Sequence, residues 1–394
     1  MPERKHVALA APPLALYVHM PWCVKKCPYC DFNSHGLGQN PPRYAEYIDD
    51  LLADLDGDRA DFASALAGRP IQSIFFGGGT PSLFAPELID RLLEGVRARL
   101  PVAVEAEITL ETNPGTVEHG RFDGYLAAGV NRISFGVQSF DDDKLRRLGR
   151  IHSAAEATRA VKSAQDEGYA NINLDLMYAL PTQTLDGALE DVRQAIALAP
   201  RHISHYQLTL EPDTVFARHP PPLPNDDQAW AMQEACQDSL AAAGYGQYEI
   251  SAYALPGYRC VHNQNYWRFG DYLGIGAGAH GKLSDPERGV IRRRWKDRNP
   301  RSYMAAASHA TRVAGDQVIA ASELPFEYML NALRLVDGVA AGEFAERTGL
   351  DLACIAPALA QARQRGWLEG DIRQLRTTAL GQRFLNDVIV SFMS

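Results

Sequence analysis

The chain alternates between apolar runs and helically spaced stretches. Leu14-Ala-Leu-Tyr-Val-His-Met20 is almost continuously apolar and reads as a short strand covered on both faces. Apolar positions from Tyr44 to Leu66 recur at helical spacing, and Ile71-Gln-Ser-Ile-Phe-Phe76 predicts the next strand, which ends in Gly77-Gly-Gly-Thr-Pro81. A helix is predicted from about Ala85 to Leu100, with Pro86 in the first turn, where its missing N–H costs nothing. Further strands are predicted at Glu107–Thr112, Arg132–Gln138, Asn171–Tyr178 and His202–Leu210, with helical stretches between them. Strand and helix alternate six times over roughly two hundred residues, which argues for a parallel α/β fold.

After Arg218-His-Pro-Pro-Pro-Leu-Pro-Asn-Asp the pattern breaks. A helix is predicted from Asp226 to Ala243, and residues 247–283 are mixed. Gly274-Ile-Gly-Ala-Gly-Ala-His-Gly281 lacks the spacing of a dinucleotide loop and reads as a tight strand and turn. Arg292-Arg-Arg-Trp-Lys296 reads as a solvated face. From Glu323 three short helices, a hairpin around Trp367–Thr377 and a closing helix predict a winged-helix-like module. The chain therefore divides into a disordered N-terminus (1–13), an α/β core (14–215), an extension (216–321) and a C-terminal domain (322–394). That last domain has no basic excess, so packing or partner docking is expected of it rather than DNA binding.

A length of 394 residues suits a large domain plus a smaller one. Apolar content of 46% and charged content of 22% are ordinary for a globular protein, and a net charge of −9 argues against nucleic acid as a partner. No apolar run is long enough to span a bilayer, and Met1-Pro-Glu-Arg-Lys-His6 has no signal-peptide core. A cytoplasmic location is expected, with peripheral membrane contact left open.

Cys23, Cys27 and Cys30 form C-x3-C-x2-C directly after the first strand. Such close spacing lets one loop present three thiolates to one inorganic core. Structural zinc takes four ligands, and no second pair follows. Disulfides are not expected in a reducing compartment. Three cysteines on a four-iron cluster leave one iron open to a small chelating molecule. Cys236, Cys260 and Cys354 are scattered and read as ordinary thiols.

This motif after an apolar strand resembles the signature of the radical S-adenosylmethionine superfamily. Tyr17-Val-His-Met-Pro-Trp22 and Asp31-Phe32 resemble the group that contains oxygen-independent coproporphyrinogen III oxidase and a heme chaperone. The resemblance implies a partial (β/α)6 barrel over the core, a [4Fe-4S] cluster on the three cysteines, and S-adenosyl-L-methionine on its open iron. It also implies one-electron cleavage of the sulfonium to methionine and a 5′-deoxyadenosyl radical.

In a (β/α) barrel the site lies at the C-terminal ends of the strands. By the resemblance, Gly78, Gly79 and Thr80 contact the methionyl amine. Glu111, Gln138, Arg150 and Asp175 match cofactor-binding positions, as do Tyr17 and Tyr29. Acids, a guanidinium and an amide are the group types that fix an ammonium, a carboxylate and a ribose. Standing alone, Asp175 could be a satisfied buried acid and the glycine run a plain turn.

In the oxidase a further cysteine stands two places after the third, whereas Phe32 stands there in this chain. Cys260-Val-His-Asn-Gln-Asn-Tyr-Trp267 contains H-N-x-x-Y-W, which resembles a motif of the heme chaperone. An imidazole suits heme iron, and aromatic rings can cover a porphyrin face. The expectation is a carrier that binds heme, with His262 as a tentative contact and Cys260, His205 and His280 as rival ligands, and passes it to an unidentified acceptor protein. No residue is assigned a catalytic role, oxidase activity is not expected, and residual cofactor cleavage is left open. The alternatives are the decarboxylating oxidase and an interaction protein with a relict cluster.

Overall fold

The computed structural model describes residues 8–38, 42–116 and 121–393. A twelve-stranded sheet runs through it. Six strands are the predicted series: β1 (Leu14–Met20), β2 (Ile71–Gly78), β3 (Val102–Thr112), β4 (Arg132–Gln138), β5 (Asn171–Tyr178) and β6 (His202–Gln207). They lie side by side in chain order, each pair parallel. Parallel neighbours need crossovers, which include α1 (Tyr44–Asp61), α2 (Pro86–Arg97), α3 (Phe122–Ala128), α4 (Ala154–Asp166) and α5 (Leu185–Ala197). Leu51, Leu92, Phe122, Val161 and Val192 of these helices share one core with Leu16, Ile74, Leu110, Ile133 and Leu174 of the strands. The strand order never reverses within this run, as in a barrel and unlike a doubly wound sheet. The outer strands of the sheet do not pair with one another, so the barrel is partial.

The extension completes both edges of this sheet instead of standing apart from it. It contains α6 (Asp226–Ala242), β7 (Gly246–Glu249), β8 (Ala252–Ala254), α7 (Val261–Trp267), β9 (Asp271–Ile275), β10 (His280–Asp285), β11 (Val290–Lys296) and β12 (Val313–Val318). β8 and then β7 add antiparallel beyond β6. β9 returns to the opposite edge, parallel to β1, and carries β10, β11 and β12 outward as an antiparallel series. The glycine-rich stretch is the tight β9–β10 connection: a Cβ on Gly274 would meet the His280 carbonyl oxygen at 1.9 Å.

The basic run does not form a solvated face. It lies on β11, where alternate residues face opposite ways. Arg294 and Lys296 turn toward α1, whose buried face carries Asp54 and Asp58. Lys296 Nζ is 2.5 Å from Asp54 and 2.9 Å from Asp58, and Arg294 reaches Asp58 at 2.7 Å and Asp316 at 2.6 Å. Arg293 pairs instead with Glu327 and Tyr272.

In the C-terminal domain α8 (Leu324–Ala332), α9 (Ala341–Thr348) and α10 (Ala356–Gln364) share a core that includes Tyr328, Phe344, Leu359 and Leu375. Val339–Ala340 pairs with Gln374–Leu375, and Leu368 bridges to Thr377, which gives the predicted hairpin. Of the N-terminal stretch expected to be disordered, residues 1–7 lie outside the described residues. Leu9 is buried in the C-terminal core, and Ala10 N–H donates to Glu346 O at 2.9 Å.

Candidate functional site

Parallel register sets the floor of the site. Tyr17 lies beside Phe75, Glu111 beside Ser134, Gly136 beside Asp175 and Asp175 beside Ser204. Glu111, Ser134, Gly136, Asp175 and Ser204 of these positions and the cysteine loop enclose a cavity of about 320 Å³ at the C-terminal ends of the strands. Cys23, Cys27, Cys30, Tyr29, Gly78, Gly79, Thr80, Glu111, Gln138, Arg150 and Asp175 all line it. Residues spread over more than 150 positions of sequence thus meet at one place, where the sequence reading put them.

The glycines let two backbones approach closely. Gly79 N–H donates to Met20 O at 2.8 Å and Thr80 N–H to Trp22 O at 2.7 Å. These two bonds lock the end of β2 to the approach of the cysteine loop. A Cβ on Gly79 would meet Trp22 O at 2.5 Å, and Gly78 adopts φ +107°. Thr80 is buried and adjoins Cys23.

Two acids share the floor. Glu111 Oε2 accepts from Gly78 N–H at 3.2 Å, and burial followed by the neighbouring Asp175 raises its pKa to about 8. Asp175 accepts from Asn173 Nδ2 at 2.8 Å and from Ser134 Oγ at 3.2 Å, and burial raises its pKa as well. Two half-buried carboxyl groups that make no ion pair among the described residues suit a ligand that brings a cation. On the opposite side Arg150 donates through Nη2 to Gly136 O at 2.6 Å and through Nη1 to Cys27 Sγ at 3.7 Å. Its Nε is buried without a partner, an orphan donor at the cavity wall. Gln138, at φ +70°, accepts from Tyr206 O–H at 3.0 Å.

The donor set fits a cluster better than a single ion. One zinc ion holding sulfurs at about 2.3 Å needs them within about 4.6 Å of each other. Among the described residues, the group of three such ligands within 4.8 Å is Asp54, Asp58 and His309, already occupied by Lys296 and Arg294. The three cysteine sulfurs do not all lie within that distance of one another, which suits a core larger than one ion. The acids, the Arg150 guanidinium and the glycine cradle fit the ammonium, carboxylate and backbone contacts of an amino-acid sulfonium.

Tyr17 does not line the cavity. Its hydroxyl bonds His19 Nδ1 at 2.9 Å, while His19 Nε2 meets Asn33 O at 2.9 Å just past the cysteines. Burial lowers the His19 pKa to about 4. The neutral ring thus accepts a hydrogen bond from the Tyr17 hydroxyl at Nδ1 and donates one from Nε2 to the loop. Tyr17 acts on the cluster loop through His19.

His262 is also set back. Its Nδ1 is 2.9 Å from Ser73 Oγ, its ring stacks on Phe75 at 5.0 Å, and burial lowers its pKa to about 3. Nε2 is buried without a partner. The same helix presents Asn263 and Trp267 to the cavity instead, because residues one and five places further on face elsewhere than His262. The rival ligands are no closer. Cys260 is buried on Glu107, His205 is buried against Tyr178, and His280 stacks on Trp295. His262, the expected heme contact, therefore lies behind the wall of this cavity.

Sequence reasoning missed Ser134, Ser204, Tyr206, Glu249 and Ser251 as cavity residues, while Trp267 is already an aromatic of the H-N-x-x-Y-W motif. The signal for Ser134 and Ser204 was strand alternation with the acids. For Glu249 and Ser251 there was none, since only the β7–β8 topology brings them in.

The Radical SAM superfamily model matches residues 17–195 and the HemN C-terminal domain model residues 319–384. The chain is 51% identical to the heme chaperone HemW of Escherichia coli over 97% of this chain and 99% of the relative. It is 48% identical to the heme chaperone HemW of Haemophilus influenzae over 97% and 98%. Among solved structures, coproporphyrinogen III oxidase (HemN) from Escherichia coli superposes with a TM-score of 0.81 at 22% identity, covering 98% of this chain and 91% of that one, which shows the shared fold.

Proposed function

The chain belongs to the heme chaperone HemW family of the radical S-adenosylmethionine superfamily, and from that premise we propose that it binds heme and delivers it to an acceptor protein. In this reading Cys23, Cys27 and Cys30 hold a [4Fe-4S] cluster. Gly78, Gly79, Thr80, Glu111, Gln138, Arg150 and Asp175 hold S-adenosyl-L-methionine, with Tyr29 at the wall. When bound, the pair supplies one-electron reductive chemistry. This chain's own groups orient the ligand. Glu111 and Asp175 accept the ammonium, Arg150 faces the carboxylate, and the Tyr17–His19 pair keeps the cysteine loop in place.

The observation that carries the carrier reading is Phe32. It lines the cavity while remaining 61% exposed. An aromatic ring left this open at the mouth of a site suits a flat apolar ligand. Trp267 stands in the same wall, and Lys25 adds a cation for a propionate. In the decarboxylating oxidase the position of Phe32 is a cysteine. Three part-exposed cluster thiols also suit a reducing cytoplasm, and no helix among the described residues is long and apolar enough to cross a membrane.

The test is anaerobic reconstitution with two aliquots. Stoichiometric heme uptake with a Soret band, and no product from coproporphyrinogen III, is the expected result. Porphyrinogen turnover without tight heme binding would establish the oxidase instead.

A further inference from the structure

A hydrogen-bond chain, joined at Asn173 by Ser134 and Ser204, runs from the floor of the cavity to the start of α7. Asn173 Nδ2 donates to Asp175 Oδ1 at 2.8 Å. Asn173 Oδ1 is 2.6 Å from His202 Nδ1, and His202 Nε2 is 2.8 Å from the Tyr248 hydroxyl. The Tyr248 oxygen accepts in turn from Cys260 N–H at 3.3 Å, at the N-cap of α7. Asn173, His202, Tyr248 and Cys260 are buried to 2% exposure or less.

The roles along this chain are forced. Asn173 must turn its NH2 toward the carboxyl of Asp175 and Ser134 Oγ, so its oxygen faces His202. His202, kept neutral by burial, then donates from Nδ1 and accepts at Nε2. Tyr248 donates to that Nε2 and has an oxygen lone pair left for Cys260 N–H. Every proton points toward Asp175, and such chains polarise cooperatively. A second anchor holds the same turn of α7: Glu107 accepts from Val261 N–H at 3.1 Å and His262 N–H at 3.0 Å. α7 in turn carries Asn263 and Trp267 into the cavity wall.

We propose that His202 and Tyr248 are positioning residues that join the Asp175 carboxyl to the first turn of α7, so that binding of S-adenosylmethionine and binding of heme are coupled. The heme half of this statement rests on the carrier reading above. A cation docking on Asp175 offsets the negative charge at the accepting end, so each acceptor along the chain weakens and the Tyr248–Cys260 link loosens, which frees the first turn of α7 to adjust to heme. Reciprocity then requires heme to change the affinity for S-adenosylmethionine by the same factor.

Two measurements on the reconstituted full chain test this. Amide hydrogen exchange of the 260–268 segment is followed with and without S-adenosylmethionine, and heme is titrated under the same two conditions. In the wild type, the sulfonium ligand is expected to speed exchange at Cys260, whose N–H bonds Tyr248, and to shift the heme Kd by about fivefold or more. Tyr248→Phe keeps the ring and both ligand sites. It is expected to bind both ligands while losing the ligand-dependent change in exchange and the shift. His202→Gln provides the same test should Tyr248→Phe not fold. A ligand-dependent change in exchange and a shift that survive in these variants would overturn the proposal, since direct ligand contact would explain them. So would a wild type in which S-adenosylmethionine changes neither. A wild type with a Tyr248-dependent change in exchange but no heme uptake would sink the carrier reading and leave the positioning role standing.

Discussion

Arg150 places Nη1 3.7 Å from the sulfur of Cys27 while its Nη2 holds the Gly136 carbonyl at 2.6 Å. One guanidinium therefore spans the cluster loop and the end of β4, with Nε to spare. Charge-assisted hydrogen bonds contribute about 1.5–3 kcal/mol each. Arg150→Gln is expected to weaken S-adenosylmethionine binding by about tenfold or more, by the conversion of about 1.4 kcal/mol per decade. Iron content after reconstitution is expected to stay near four per chain. Equilibrium dialysis alongside iron analysis checks this, and an unchanged affinity would remove Arg150 from the binding set.

Glu111 gives a pH signature. Its folded pKa is near 8, above its ordinary value of 4.5, because burial and Asp175 oppose the anion. A cationic ligand needs that anion. Affinity for S-adenosylmethionine is thus expected to rise with pH up to about 8 and then level off, with a proton released on binding below that point. For stability the sign is opposite. The folded state holds the proton more tightly than the unfolded one, so stability falls as pH rises from 4.5 to about 8. Glu111→Gln removes this penalty. It is expected to raise the melting temperature at pH 8 by about 1–3 °C while abolishing ligand binding. A variant that melts lower than wild type at pH 8 would contradict this assignment of the buried charge.

Lys296 stands between Asp54 and Asp58 with 1% of its side chain exposed. His309 faces the same two acids at 3.2 and 3.3 Å, and these raise its pKa to about 9. Removing one partner of a buried ion pair costs about 3–5 kcal/mol, because the other charge is left stranded. Lys296→Met is expected to lose about that much in chemical denaturation. The His309 contribution is present below pH 6.5 and is lost as pH rises through 9. The difference between wild type and His309→Gln should shrink over that window, and a constant difference would count against the pairing.

How far these features were legible from sequence depends on how locally they are encoded. The six parallel strands stood out because both faces are buried and their apolar runs are unbroken, as in β1. Asp175 stood out as a lone acid on such a strand, and Glu111 as an acid at a strand end that the resemblance matched. Lys296 and Arg294 did not, because nothing near them in sequence says that α1 carries the matching acids. Asn173, His202 and Tyr248 escaped for the same reason: each looks like an ordinary polar residue until the register of β5, β6 and β7 brings them together. That His262 faces Ser73 and not the cavity was not legible, because a motif names residues but not the direction a helix turns them.

The closest backbone approach in the site makes Gly79 a sharp test. Its missing Cβ leaves room for Trp22 O, which a methyl group would meet at 2.5 Å, with Met20 O at 2.8 Å. Both obstacles are backbone, so neither can rotate away. Gly79→Ala is expected to push β2 from the cysteine loop and break the paired bonds of Gly79 and Thr80. Iron incorporation after reconstitution should fall severalfold with far-ultraviolet circular dichroism little changed. Full iron incorporation would show that the loop adapts.

Phe32→Cys tests whether this one position sets the choice between carrier and oxidase. The variant adds a thiol two residues beyond Cys30, as in the oxidase, and removes the most exposed aromatic of the cavity. Burying a phenyl ring against a flat ligand contributes about 1.5–3 kcal/mol. Heme affinity is therefore expected to drop by about tenfold or more. Porphyrinogen decarboxylation is not expected to appear, because the cluster already has its three thiolates and a fourth thiol at the mouth supplies no group for the propionates. Iron should remain near four per chain. Should the variant turn over coproporphyrinogen III, the aromatic would be a block on an otherwise competent enzyme. Should heme affinity stay unchanged, the porphyrin must lie on Trp267 or outside this cavity, and Phe32 would be a surface residue whose exposure has no ligand behind it.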